Sequence, residues 1–153
     1  MICFSIPGEP APKERARAGK GRWFTPKQTV DAEKNVRDYA ELAARSAKGY
    51  PRSGHFWIGA TFYMGCTRSK RGHLLQRNAD LDNLLKLVQD GMKNVFWFDD
   101  KQVRGYLPGT KKVLGARHPQ TVVALIHEDE LSAEQAERWG SLPRAAIDAA
   151  ERE

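Results

Sequence analysis

Asp80-Leu81-Asp82-Asn83-Leu84-Leu85-Lys86 is the stretch from which the rest of the chain is read. At ~100° per residue, Leu81, Leu84, Leu85, Val88 and Met92 fall within one arc about 100° wide, which predicts a helix from about Leu81 to Lys93 with that arc in the core. Asp82 and Lys86 then lie side by side on its flank, about 40° apart. Asp80 sits at or beside the N-cap. A further acidic pair, Asp99-Asp100, comes from the next connection, and its closeness in sequence predicts that it folds back to the same place.

Acids gathered this tightly in a chain of net charge +6 need a reason. Phosphodiester hydrolysis supplies one. It needs water in line with the leaving oxygen and cations to absorb the charge that builds on phosphorus. A Mg²⁺ ion held by a few carboxylates and retained waters does both, and a neighbouring lysine stabilises the transition state. Taken alone, the same residues also read as a helix cap, an i,i+4 ion pair and a plain acidic turn. The wider context decides between the two.

Working outward, residues 2–6 read as a strand ended by Pro7-Gly8, and 11–24 as a loop or ribbon. Thr25 suits an N-cap, Pro26 a first helical position, and Gln28 can close a capping box. Ala32, Val36, Tyr39, Ala40, Ala43 and Ala47 then share one face, so a helix is expected from about Pro26 to about Ala47. Residues 55–64 are aromatic and β-branched and read as a strand, and 65–79 as a polar basic loop. Phe96-Trp97-Phe98 reads as a short apolar link, 101–107 as a short strand and 121–127 as the clearest buried strand. The tail, 132–153, reads as one or two short helices broken near Gly140 and Pro143. Strands interleaved with two main helices predict a single small α/β (α+β) domain built on a mixed sheet.

The chain has 153 residues, enough for one domain with one main core. No apolar stretch is long enough to span a membrane, and Met1 to Ile6 lacks the features of a signal peptide. Cys3 and Cys66 show no metal-ligand spacing and read as free thiols in a reducing cytoplasm. His55, His73, His118 and His127 are scattered, which argues against zinc. The charge is uneven: residues 128–153 carry a net −5 and residues 1–127 a net +11. An acidic tail on a basic body fits a polyanion-binding domain.

Two basic clusters are candidate DNA contacts. Lys13, Arg15, Arg17, Lys20, Arg22 and Lys27 form the first, made pliable by Gly19 and Gly21. Arg68, Lys70, Arg71 and Arg77 form the second, just ahead of the acids. Such clusters track phosphates without reading bases. Trp23 and Phe24 lie within the first cluster, and either stack on unpaired bases or join the core as a hydrophobic staple.

The stretch Asn78-Ala79-Asp80-Leu81-Asp82-Asn83-Leu84-Leu85-Lys86, with Asp90-Gly91 and Val95-Phe96-Trp97-Phe98-Asp99-Asp100-Lys101-Gln102-Val103, resembles the RusA family of Holliday junction resolvases. So do the opening Ile6-Pro7-Gly8-Glu9-Pro10-Ala11-Pro12-Lys13, with Arg15 and Arg17, and Phe24-Thr25-Pro26-Lys27. The resemblance implies a RusA-like endonuclease domain over 1–127 followed by an acidic helical tail over 128–153. It implies a homodimer that binds four-way DNA junctions in recombination and repair. That dimer would cut two opposed strands with Mg²⁺ (or Mn²⁺), leaving 5′-phosphate and 3′-hydroxyl ends. The family's three metal-binding catalytic acids fall on Asp80, Asp82 and Asp100, with Asp99 the alternative to Asp100. Its catalytic lysine falls on Lys86. Asp90 matches a frequently acidic position and lies within i,i+4 reach of Lys86. A bacterial or phage-encoded cytoplasmic protein is implied. The same site would also serve a nuclease for forks or flaps, and a relative without turnover would bind junctions and leave them whole.

Overall fold

The computed structural model describes residues 1–48, 50, 52–65, 67–68, 74–75 and 79–140. In chain order its elements are β1 (Ile2–Pro7), β2 (Arg17–Gly19), β3 (Arg22–Phe24), α1 (Lys27–Ser46), β4 (Phe56–Met64) and β5 (Thr67–Arg68). Then follow β6 (Leu74–Leu75), α2 (Leu81–Met92), β7 (Val103–Tyr106), β8 (Lys111–Leu114), β9 (Gln120–His127) and α3 (Ala133–Gly140).

The strict alternation of β4 builds the core. Phe56, Ile58, Ala60, Phe62 and Met64 point to one face of the sheet and are buried. Antiparallel β9 lies beside β4 and adds Val123 and Leu125, and antiparallel β1 lies beyond it with Ile2 and Ile6. The helices close this face. α2 contributes Leu84, Leu85, Val88 and Met92, four of the five residues expected there, while Leu81 is half-buried against the same cluster. Val36 and Ala40 of α1 are fully buried, with Ala32, Tyr39, Ala43 and Ala47 packed at their edge. Gly91 lets the helices meet: a Cβ there would stand 2.6 Å from the side chain of Val36 and 3.0 Å from the carbonyl of Glu33. The result is a mixed α/β domain on a five-stranded sheet, as the patterning predicts.

The other edge of β4 acts as a ruler for the site. β7 runs parallel to its first residues, with Val103 opposite Phe56 and Tyr106 opposite Ile58. After a turn at Gly109, β8 runs parallel to its last residues, with Lys112 opposite Phe62. Phe56 and Phe62 are six residues apart, which is about 20 Å of extended chain.

Four local expectations are corrected. Thr25 does not cap α1. Pro26 holds the N-cap position with extended backbone and no side-chain cap, and its carbonyl takes the amides of Thr29 and Val30 at 3.0 and 3.2 Å. The capping box is therefore absent, and the Thr29 hydroxyl instead accepts the Glu14 amide at 3.2 Å. Residues 100–102 form a 3₁₀ turn rather than the start of a strand, because the Asp99 side chain caps it. Two further pairings appear: β8, and the short β5–β6 pair inside the expected basic loop. In the tail, α3 matches the first of the expected helices, and the break near Pro143 lies outside the described residues.

Candidate active site

The start of α2 leaves the Asp80 carboxylate unspent. Asp80 has extended backbone at the N-cap position, and its carbonyl accepts the Leu84 amide at 3.1 Å. Its side chain makes no cap hydrogen bond, although capping is the ordinary use of an aspartate there. Asp82 and Lys86 flank the helix as the wheel predicts, 3.9 Å apart and both exposed. The entry to the motif is held from β8, where the Lys112 ammonium donates to the Ala79 carbonyl at 2.9 Å.

The N-terminal basic segment lies against this end of the helix. The Lys13 amide donates to the Asn83 carbonyl at 3.0 Å. Its ammonium is hydrogen-bonded to Asp90 and lies 3.7 Å from Glu33. The hydrogen bond it donates to Asp90, opposed by burial, holds the amine above its usual range. Asp90 is thus engaged by Lys13 rather than by Lys86, contrary to the expectation from spacing. Lys13 is an anchor, and it pins the residues that follow it. Pro12 to Arg17 line an open cleft of about 360 Å³ with Asp80 and Asn83.

From this cleft the chain passes into a β2–β3 ribbon. Lys20 and Gly21 both have positive φ, 50° and 75°, and close it as a two-residue turn whose handedness suits paired strands. Trp23 pairs with Ala18 on one face, while Phe24 lies over Gly19 on the other. Trp23 is 75% exposed and Phe24 46%, so neither is core. Arg15, Lys20 and Arg22 are exposed, Arg17 pairs with Glu14 at 3.1 Å, and Lys27 with Asp31 at 3.4 Å. Of the second basic cluster, Lys70, Arg71 and Arg77 lie outside the described residues, and of Arg68 only the backbone, in β5, is described.

Asp100 is elsewhere. Buried Val95, Phe96 and Trp97 fix the chain at the far end of α2, and Phe98 emerges from them exposed. The Asp99 carboxylate accepts the Lys101 amide at 2.9 Å, so that acid is spent as a cap. Asp100 is exposed and 3.3 Å from Lys93, at the C-terminus of α2. Gln102 organises the turn. Its carbonyl oxygen accepts the amides of Phe98 and Asp99 at 2.8 and 3.0 Å. Its amide donates to the carbonyls of Arg52 and Gly54 at 2.8 and 3.1 Å. The role of Gln102 is not apparent from the sequence, although the motif Asp-Asp-x-Gln-Val contains it.

The sheet measures the separation. Ala79 is held by Lys112, opposite Phe62, and Asp100 stands three residues before Val103, opposite Phe56. The two groups of acids are therefore tied to opposite ends of β4, at positions about 20 Å apart along the strand. The expected return of Asp100 to Asp80 and Asp82 does not occur within one chain. Among the described residues no three His, Cys, Asp or Glu side chains stand together as a metal site. Asp80 and Asp82 suit Mg²⁺ as hard oxygen donors, but within one chain they fit only part of a site.

The family model for endodeoxyribonuclease RusA matches residues 7–126, most of the chain and both ends of the site. No curated protein matches it. No described helix is long and apolar enough to cross a membrane.

Proposed function

This chain belongs to the RusA family of endodeoxyribonucleases, the crossover junction enzymes, and on that premise we propose that it cuts four-way DNA junctions with Mg²⁺ at a site begun by Asp80 and Asp82. The observation that carries the proposal is the unspent carboxylate of Asp80 at the start of α2. It faces the cleft of Pro12 to Arg17, with Asp82 and Lys86 on the adjoining flank.

The cation, when bound, neutralises charge on the phosphate oxygens and makes water a stronger nucleophile. The residues do the rest. Arg15 and Arg17 hold the strand's phosphates beside the acids, which would otherwise repel them. Lys86, tethered one turn above Asp82, carries a positive charge to the edge where negative charge develops on the phosphoryl oxygens. The exposed ribbon offers Trp23 and Phe24 as faces for unpaired bases at the branch point.

Asp100 belongs to this site as the contribution of a second copy. A two-fold axis across α2 reverses the helix and sets the Asp100 end of one protomer against the Asp80 end of the other. The same symmetry supplies two sites for two opposed strands. Asp100 rather than Asp99 takes this part because the carboxylate of Asp99 is already a cap.

A labelled four-way junction, incubated beside duplex, fork and flap with Mg²⁺ or EDTA, tests the proposal. Paired metal-dependent nicks in the junction, absent with Asp82→Asn while binding persists, are the expected result. Preferential cutting of forks or flaps would move the function to those structures. Intact DNA throughout would refute the nuclease reading.

A further inference from the structure

The Asp100 end carries a feature that the cutting chemistry does not use. Phe98 is 58% exposed, directly after three buried residues. The Arg52 guanidinium lies over its ring, 6.0 Å from the centroid. One side chain fixes both, because Gln102 holds the Phe98 amide and the Arg52 carbonyl at once. An exposed aromatic on a pinned backbone with a cation across it is a preorganised stacking face. Beside it lies a cleft of about 300 Å³ lined by Glu41, Ala44, Arg45, Arg52, Asn94 and Val95. Arg45 and Arg52 have no ion-pair partner among the described residues, and Asn94, whose backbone amide is taken by the Trp97 carbonyl, adds its side-chain amide to the lining.

We propose that Phe98 and Arg52 form a nucleotide-binding platform: a base of the DNA strand stacks on Phe98, and its phosphate enters the Arg45–Arg52 cleft. The inference rests on the nuclease reading for its ligand and adds a specificity role to it. Phe98 is two residues from Asp100, so the platform travels with that acid to the site it completes. The base stacked there is close to the cut, and its stacking strength sets which sequences are cut best. A protein partner fits less well, because unpaired guanidinium groups beside an aromatic face match a polyanion with flat bases.

The test is a set of four-way junctions with 2-aminopurine placed singly along the strands near the cut, titrated in EDTA so that binding is read without cleavage. Wild-type protein should quench the probe at one position, and Phe98→Trp should keep the quench. Phe98→Ala should lose it and bind about tenfold more weakly, the effect of one lost base–aromatic stack. Arg52→Met should weaken binding several-fold and reduce its dependence on salt. Phe98 is exposed, so the thermal midpoint of Phe98→Ala should match wild type. With Mg²⁺, Phe98→Ala should still cut but spread its cuts over more sequences.

Unchanged quenching and an unchanged cut distribution in Phe98→Ala would overturn the platform. So would a wild-type protein with no quenched position in which Phe98→Ala only shifts the dimer to monomer in sedimentation. A wild-type protein that shows the Phe98-dependent quench yet cuts nothing would support the platform while the nuclease reading falls. Absence of any junction binding would overturn both.

Discussion

The two ends of α2 use aspartate in opposite ways. At the Asp80 end the backbone is at a cap position but the carboxylate is not a cap, and its neighbours are an exposed Asp82–Lys86 pair and an arginine-bearing arm. At the other end Asp99 caps a 3₁₀ turn, Asp100 faces Lys93, and Gln102 takes four backbone partners. One end is wired for stability and offers a single acid, Asp100, that is not spent as a cap. The other leaves its acids open to a ligand. Neither is a metal site alone. On the function proposed above, a motif read from one stretch of sequence is divided across a rigid helix, and its assembly calls for a second copy.

Substitutions that break this contrast should differ sharply in kind. Lys86→Ala should lower the rate of junction cutting by about 10²–10³ with folding and binding kept, as expected for loss of one transition-state charge. Single-turnover cleavage measures it. Gly91→Ala should act only on the frame between the two ends. A Cβ 2.6 Å from Val36 overpacks the helix contact and should cost about 1–3 kcal/mol, read from chemical denaturation.

Next comes the pair at the Asp100 end. Asp99→Ala should cost about 1 kcal/mol of stability through the lost cap. Asp100→Ala should leave stability within about 0.5 kcal/mol, as expected for an exposed side chain, while abolishing cutting. A reversed pattern would assign the third acid to Asp99.

The basic arm sharpens the comparison at the Asp80 end. Lys13→Met removes a half-exposed anchor and should lower stability by about 1 kcal/mol, a value reduced by solvent screening. Arg15→Ala should leave stability alone and reduce the slope of log affinity against log salt by about 1.

The smallest effect concerns the start of the tail. The hydrogen bond from His55 holds the exposed Glu128 carboxyl below its usual range. A depressed folded value means the contact contributes above the unfolded value, ordinarily near 4.5, and is lost as pH falls through the folded one. Thermal midpoints of wild type and Glu128→Gln should therefore converge in acid.

Much of the frame is legible because burial imposes a period. Leu84, Leu85, Val88 and Met92 recur at helical spacing, and 121–127 is apolar enough to be read as buried. Local chemistry also places Asp82 beside Lys86. The failures have physical causes. Lys111 to Leu114 carries little apolar signal because β8 is an edge strand whose pairing comes from β4. Thr25 looks like a cap, but Pro26 occupies that position with its own extended backbone. The position of Asp100 could not follow from its distance along the chain. A 12-residue helix is a rod of about 18 Å, and Phe96 and Trp97 bury themselves at its far end rather than returning.

The most direct test of the divided site mixes two inactive variants. Asp82→Asn and Asp100→Asn are purified separately, shown to be dead on four-way junctions, then combined under conditions that exchange subunits. If the two ends meet across a dimer, each mixed dimer holds one site with both lesions and one with none. Mg²⁺-dependent nicking of single strands should then return, at about a quarter of the wild-type number of sites. A mixture as inactive as its components would contradict the account, because it would place all three acids in one chain.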